Sequence, residues 1–347
     1  MTLTTPPGTD FSGTTDLLVA DQHTRRRRLS LGPHFEKYAL VLALVLVVIV
    51  FSILRPEVYP TPSNLQNILG SQAVLLILAL GLIVPLTAGE FDLSSVSTMS
   101  LSAMTIAVLN VQRGWSLVAA IAIALLAALI MGLLNALLVV GLQITSFIAT
   151  LGSGTVALGV VQWMSGSTSV TGIDSALVDA TISTRVFGVS LQFYYALALV
   201  FVMAIIFTYT PIGRRLLFVG RGAEVSRLSG LHVDRIRSGS LVASSQIAGV
   251  AGIIYAGMLS GADPSSGQSF MLPAFAAAFL GATAIVPGRF NAFGTLIAVY
   301  FLVAGVVGLQ MLGAQSFVQQ LFYGGALIVA VAVSGAVRRR TVGRLRS

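Results

Sequence analysis

The sequence has no cysteine, which excludes disulfides, thiolate metal sites and cysteine nucleophiles. Charge is nearly as scarce. Only 9% of the 347 residues are Asp, Glu, Lys or Arg, against roughly 25% in ordinary soluble domains. Lysine occurs once, at Lys37, behind Pro33-His34-Phe35-Glu36. A phosphate-binding loop of the G-x-x-x-x-G-K-[ST] type needs a lysine that reaches the phosphates, and no such loop exists here. Any ATP-driven work therefore requires another subunit's nucleotide site. His23, His34 and His232 stand apart in polar segments, with no H-E-x-x-H pair and no serine elbow inside an apolar run. No catalytic residue and no metal site is expected, and the chain reads as a non-enzyme.

Apolar residues make up 56% of the chain, and the mean hydropathy is +0.92. One bilayer crossing takes roughly 20 apolar residues, so there is room for about ten. The composition predicts an all-α, polytopic membrane bundle. Ten apolar runs are visible: Ala39–Leu54, Ile68–Thr87, Ser94–Asn110, Trp115–Val140, Phe147–Met164, Phe193–Tyr209, Gly239–Ser260, Phe270–Val286, Phe293–Leu312 and Phe317–Val337. Residues 1–37 read as a disordered basic tail, 38–337 as the transmembrane domain and 338–347 as a second basic tail. The runs near Asp92 are open to being broken or re-entrant.

Arginine placement orients the runs. If the N-terminus is cytoplasmic and the runs alternate, the inside collects Arg25–Arg28, Lys37, six arginines between Arg214 and Arg237, Arg289, and five from Arg338 to Arg346. That is 17 of the 20 Lys and Arg residues, leaving Arg55, Arg113 and Arg185 outside. The excess of positive charge in short cytoplasmic loops then places both termini in the cytoplasm. The net charge of +8 needs no nucleic acid. No aromatic residues interleave with Arg25–Arg28 as a nucleic-acid platform requires, so this cluster reads as a lipid-facing topology anchor.

The arginine loop at 210–238 divides the runs into six and four, and a short internal echo follows the same division. Ala88-Gly89-Glu90-Phe91-Asp92-Leu93-Ser94-Ser95 follows the second run, and Ser260-Gly261-Ala262-Asp263-Pro264-Ser265-Ser266 follows the seventh. Alternation puts these turns on opposite membrane faces, the pattern of an inverted repeat.

Glu90 and Asp92 are the exceptional ionisable groups. Membrane carboxylates mark ion paths, but they also cap helices, with Asp92 or Ser94 accepting from the free N–H groups of the third run. No Lys, Arg or His lies in a run to partner them, which favours capping. Small residues recur at Ser244, Ala248, Gly252, Ala256 and Ser260, and a second group occurs at Gly152, Gly154 and Gly159. Both read as helix-packing seams. Gly252→Leu is expected to disrupt packing at a cost of about 1–3 kcal/mol, and Gly252→Ala to be much milder. Phe147, Trp163, Phe275 and Phe279 fit either a solute path or lipid-facing positions.

Several patches resemble the membrane-spanning permease subunits of bacterial ABC importers for ribose-type monosaccharides. They are Gly89-Glu90-Phe91-Asp92-Leu93-Ser94, Asn135-Ala136-Leu137-Leu138-Val139, Phe147-Ile148-Ala149-Thr150-Leu151-Gly152, Gly213-Arg214, Arg227-Leu228-Ser229-Gly230-Leu231, and Gly288-Arg289 leading to Gly294-Thr295. The resemblance runs from about Asn64 to Ala336. It implies a helical bundle of about ten helices in the bacterial cytoplasmic (inner) membrane, a second permease copy, an ABC ATPase with two nucleotide domains and an extracytoplasmic sugar-binding protein. ATP and Mg would be used by that ATPase, with no cofactor held by this chain. Asp92, Ser94, Asn135, Phe147 and Thr150 are the candidate path residues. The chain departs from the family at Ser95-Val96-Ser97, at Val225-Ser226 and at Val307-Gly308, where an Asn-Gly pair is common.

The arginine loop carries one further expectation. Glu224-Val225-Ser226-Arg227-Leu228 suits one short helix, stopped at Gly230. Val225 and Leu228 would share a face, with Glu224, Arg227 and Ser229 beside them. In the resembling permeases the matching segment docks on the ATPase; an unpartnered positive-inside loop is the alternative. Competing functions are a permease for branched-chain amino acids, nucleosides or a sugar-derived signal, and a self-sufficient secondary transporter.

Overall fold

The computed structural model describes Thr2 and residues 33–343, the side chains of residues 33–36, 266 and 333–343 excepted. Arg25–Arg28, Arg344 and Arg346 lie outside the described residues, as does nearly all of the expected N-terminal tail. The chain is helical: α1 Pro33–Leu54, α2 Pro62–Ser71, α3 Ala73–Ala88, α4 Ser95–Ala107, α5 Leu117–Ala136, α6 Ser146–Ser165 and α7 Ser175–Val178. Then follow α8 Leu191–Tyr209, α9 Pro211–Arg221, α10 Ala223–Leu228, α11 Val233–Leu259, α12 Met271–Gly281, α13 Ala292–Met311 and α14 Ser316–Gly343. Two antiparallel pairs of two-residue strands complete it: β1 Val170–Thr171 with β4 Gly261–Ala262, and β2 Arg185–Val186 with β3 Val189–Ser190.

Among the described residues, six helices are long and apolar enough to cross a membrane: α1, α5 with its π turn to Gly141, α6, α8, α11 and α13. The second apolar run is not one straight helix. It divides into α2 and α3, bent by 41°, and the pair makes a seventh candidate. The third run yields α4, which a π turn carries on through Val108–Gln112, and the eighth yields only a short helix. At about 1.5 Å per residue, α12 with its 11 residues is only about 17 Å long, against a hydrocarbon core of about 30 Å.

Two helices form the centre. All 16 residues of α3 are buried, as expected of a segment apolar on every side. All 13 residues of α4 are buried too, although six are Ser or Thr. That polarity is absorbed by the helix itself: Thr98, Ser100 and Thr105 each donate to the carbonyl four residues back. Ser102 donates across to the Gly249 carbonyl of α11 at 2.9 Å.

Connections sort into two ends of the bundle. At one end α9 lies on the end of α3, Phe91 N–H bonds Ser146 Oγ, and the Lys37 carbonyl accepts from Ile285 N–H. At the other, β1 pairs with β4, Asp174 N–H bonds Asn110 Oδ1, and Gln66 Nε2 bonds the Phe187 carbonyl. Helix α4 rests on α5, α6 and α11, while α12 rests on α13, α14 and α3.

Gly252 lies at a close approach of α11 to α4. A Cβ placed there would meet the Met99 carbonyl and stand 2.6 Å from the Ser102 Cβ. The first of these obstacles is backbone, so alanine carries a cost as well, smaller than that of leucine. Both Gly252→Ala and Gly252→Leu are expected to lower the thermal midpoint of the detergent-solubilised chain. An overpacking cost of about 1–3 kcal/mol is expected for alanine and more for leucine. A midpoint unchanged in Gly252→Ala would show that the helices separate without cost.

Candidate functional site

The turn between α3 and α4 gathers a connected cluster of buried polar side chains. Asp92 has 0% exposure. Its Oδ1 accepts from Ser94 N–H at 3.0 Å and from Ser94 Oγ at 2.6 Å, and its Oδ2 accepts from Ser95 Oγ at 2.8 Å. Asp92 thus closes an Asx turn onto Ser94, the residue that precedes α4, and three donors satisfy its carboxylate. The expected cap on the free N–H groups of α4 is not made, since neither Asp92 nor the N-cap Ser94 bonds them through its side chain. The network then spreads to three other helices. Asn135 of α5 donates to Ser94 Oγ at 2.7 Å, and Ser153 of α6 donates to Asn135 Oδ1 at 2.5 Å. Ser95 and Ser244 of α11 share a hydrogen bond of 2.9 Å. Thr150 Oγ1 accepts from Leu93 N–H at 3.0 Å.

Of the candidate path residues, the structure brings together Asp92, Ser94, Asn135 and Thr150, all at 0% exposure. None of these four faces open space; they join elements. Phe147 is separate, half-exposed on the outer side of α6. Ser244, Ala248, Gly252 and Ala256 are all buried along α11, and Ser244 also belongs to the polar network.

Glu90 has a partner that the sequence did not reveal. Its Oε1 accepts from Arg237 Nε at 2.5 Å, with side-chain exposures of 8% and 21%. Arg237 belongs to the arginine loop by sequence, yet α11 begins at Val233 and carries it to the α3–α4 turn. The expectation that no cation lies near these carboxylates is therefore corrected.

The loop itself holds two helices and not one. Helix α9 is amphipathic: Gly213, Leu216 and Val219 are buried while Ile212, Arg214, Arg215 and Phe218 are exposed. Residues Glu224, Val225, Arg227 and Leu228 lie on α10 at the expected place. Its end is a Schellman stop: Gly230 N–H bonds the Arg227 carbonyl, Leu231 N–H bonds the Ser226 carbonyl, and Gly230 has φ +79°. Leu228 is 90% exposed and Val225 69%. Arg227 is exposed and pairs with Asp234 at 3.1 Å, while Ser229 and Glu224 are exposed on the rim. Between α9 and α10 runs a groove of about 500 Å³, lined in part by Arg214, Arg215, Phe218, Val225 and Leu231.

Removing Arg237 as Arg237→Gln strands the Glu90 carboxylate. Breaking a buried pair costs about 3–5 kcal/mol, and the partial exposure of Arg237 puts the loss at or below the low end. The thermal midpoint is expected to fall in Arg237→Gln and to recover in part in the double variant Glu90→Gln/Arg237→Gln. Additive losses would contradict the pairing.

Residues 64–331 match the family described as branched-chain amino acid transport system / permease component. The ribose import permease protein RbsC of Escherichia coli strain K12 is 31% identical over 303 residues, covering 86% of this chain and 93% of the relative. The RbsC of Bacillus subtilis strain 168 is 28% identical over 309 residues, covering 89% and 95%. The D-allose transport system permease protein AlsC of Escherichia coli strain K12 is 25% identical over 323 residues, covering 92% and 98%. No solved structure matches the chain. With the helical bundle, its apolar spanning helices and this match over most of its length, the chain belongs to that permease family, as a multi-pass membrane subunit of an ABC importer and a transport component rather than an enzyme.

Proposed function

We propose that the chain conducts a monosaccharide or a related small polar solute into the cytoplasm by alternating access, driven by a separate ATPase. The observation that carries this reading is the end-to-end likeness to the ribose and D-allose permeases, which reaches 86–92% of the chain. The family's description keeps branched-chain amino acids as the second reading.

The partners follow from the same family. An ABC ATPase with two nucleotide domains uses ATP and Mg, and an extracytoplasmic binding protein delivers the solute; this chain holds no cofactor. Helix α10 is the proposed docking element. Two exposed aliphatic side chains three residues apart, beside an open groove with Phe218, leave an apolar face with no partner among the described residues. A second copy of the permease is proposed to meet α6. Gly152, Thr155, Gly159 and Gln162 form an exposed stripe along this spanning helix, small and polar where lipid contact calls for apolar bulk. Lipid covers the apolar faces that remain.

In the proposed topology the ten helical segments alternate and both termini are cytoplasmic. The grouping of connections at two ends supports alternation, and the 17-to-3 division of Lys and Arg supports the direction. Twin turns support an inverted repeat. Asp92 Oδ1 accepts from Ser94 N–H and Oγ, and Asp263 Oδ1 accepts from Ser265 N–H and Oγ at 2.9 and 2.7 Å.

Two measurements test this reading. Leu228→Asp is expected to leave membrane insertion intact and to abolish ATPase co-purification and uptake. Normal recruitment by this variant would move the docking site elsewhere, with Arg289 the next place to look. The chain lacks cysteine, so Ser229→Cys gives a single label site. It is expected to react in inside-out vesicles and to be silent in intact cells; labelling from outside would overturn the topology.

A further inference from the structure

A second cavity lies at the end of the bundle opposite α10, away from the Asp92 network. It has a volume of about 320 Å³ and sits among the α2–α3 break, α11, α12, α13 and α14. Its polar lining comes from Ser71, Gln72, Gln310, Gln319, Ser269 and Tyr323, and no lining residue carries a charge. Leu75, Phe270, Val303 and Val306 supply apolar walls.

We infer that this cavity is a recognition site for a neutral, hydroxyl-rich solute of monosaccharide size. The inference rests on the import reading above and narrows its substrate class. Three glutamine amides converge, and each amide offers two donors and an acceptor that accepts twice. They are not locked among themselves. Gln310 Nε2 reaches Gln319 Oε1 at a long 3.3 Å, Gln319 also bonds the Tyr323 hydroxyl, and among the described residues Gln72 Nε2 meets the neighbouring Ser71 Oγ at 3.0 Å. A sugar brings hydroxyls, each both donor and acceptor, with C–H surface between them. Amides can exchange their present bonds for the hydroxyls while the aliphatic and aromatic walls cover the carbon skeleton. The volume is at the small end of the range for ligand cavities, room for one ring and not for a large ligand.

The backbone points to the same place. Gln72 separates α2 from α3 at a 41° bend, with its own N–H turned to the Gly70 carbonyl. A break in a spanning segment is tolerated at membrane depth where it is buried in protein or borders a cavity. The neutrality of the lining separates the two solute classes that the family leaves open. A branched-chain amino acid carries an ammonium and a carboxylate, and desolvating both without a charged partner is unfavourable. No residue of this cavity provides one.

Saturation-transfer NMR on the full chain in lipid nanodiscs tests the site with D-ribose, D-allose, D-xylose and L-leucine as separate probes. At least one of the sugars is expected to give a signal, and L-leucine none. Gln310→Leu/Gln319→Leu is expected to weaken the sugar signal at least fivefold. Val307→Trp, which fills the cavity from its α13 wall, is expected to abolish it. If the tryptophan variant fails to give a monodisperse protein, the glutamine double variant decides. A sugar signal that survives in folded variants overturns the site, as does its absence from the parent chain. An L-leucine signal removed by the same substitutions overturns the neutral class. ATPase recruitment is read separately on the same preparations: a chain that recruits the ATPase but shows no cavity-dependent sugar signal refutes this site alone, and a chain that recruits none refutes the import reading.

Discussion

A carboxylate with no exposure inside an apolar bundle has to be satisfied by its own neighbours, and the satisfaction of Asp92 organises the centre of this protein. An unpaired charge there would be prohibitive. Three donors from Ser94 and Ser95 meet it, and those hydroxyls in turn bind Asn135 and Ser244. One turn thereby pins α4, α5 and α11 together, with Ser153 adding α6. Networks of this kind are costly when incomplete and specify a unique arrangement when complete.

That turn also stands directly above the face proposed for docking. Helix α9 touches the last turn of α3 so closely that a Cβ on Gly220 would overlap the Thr87 carbonyl. Arg237, seven residues beyond the Gly230 stop, holds Glu90 in the same turn. A push on α10 therefore has two short routes into the core, one through α9 onto α3 and one through α11 onto Glu90. Both arrive beside Asp92, where four helices are joined. A rigid, fully bonded junction transmits such a displacement better than a loosely packed one.

The helical bundle, the position of α10 and its glycine stop were legible in the sequence, because apolar period, charge scarcity and the Schellman stop are local signals. The long-range features were not. Arg237 looked like a topology charge, since nothing local shows that α11 starts at Val233 and extends below the apolar run. Helix α9 was hidden because Pro211 and three arginines resemble loop composition, although Gly213, Leu216 and Val219 at three-residue spacing carried its buried face. Ser244 was legible as a small residue but not as a hydrogen-bond partner of Ser95, 149 positions away. The glutamines around the outer cavity lie on α3's break, α13 and α14, and only packing brings them together. The family resemblance marked position 307 as a departure, and Val307 does line that cavity.

The central claim is that this chain moves solute only as one part of an ATP-driven assembly. The most direct measurement is capture of the tagged full-length chain from its native membrane in mild detergent, followed by reconstitution into vesicles with and without ATP. The account predicts that an ATPase co-purifies, that sugar accumulates only with ATP once the extracytoplasmic binding protein is added back, and that a lysine substitution in the ATPase's phosphate loop stops it. A chain recovered without an ATPase that still accumulates sugar in those vesicles would contradict the account and establish a self-sufficient transporter.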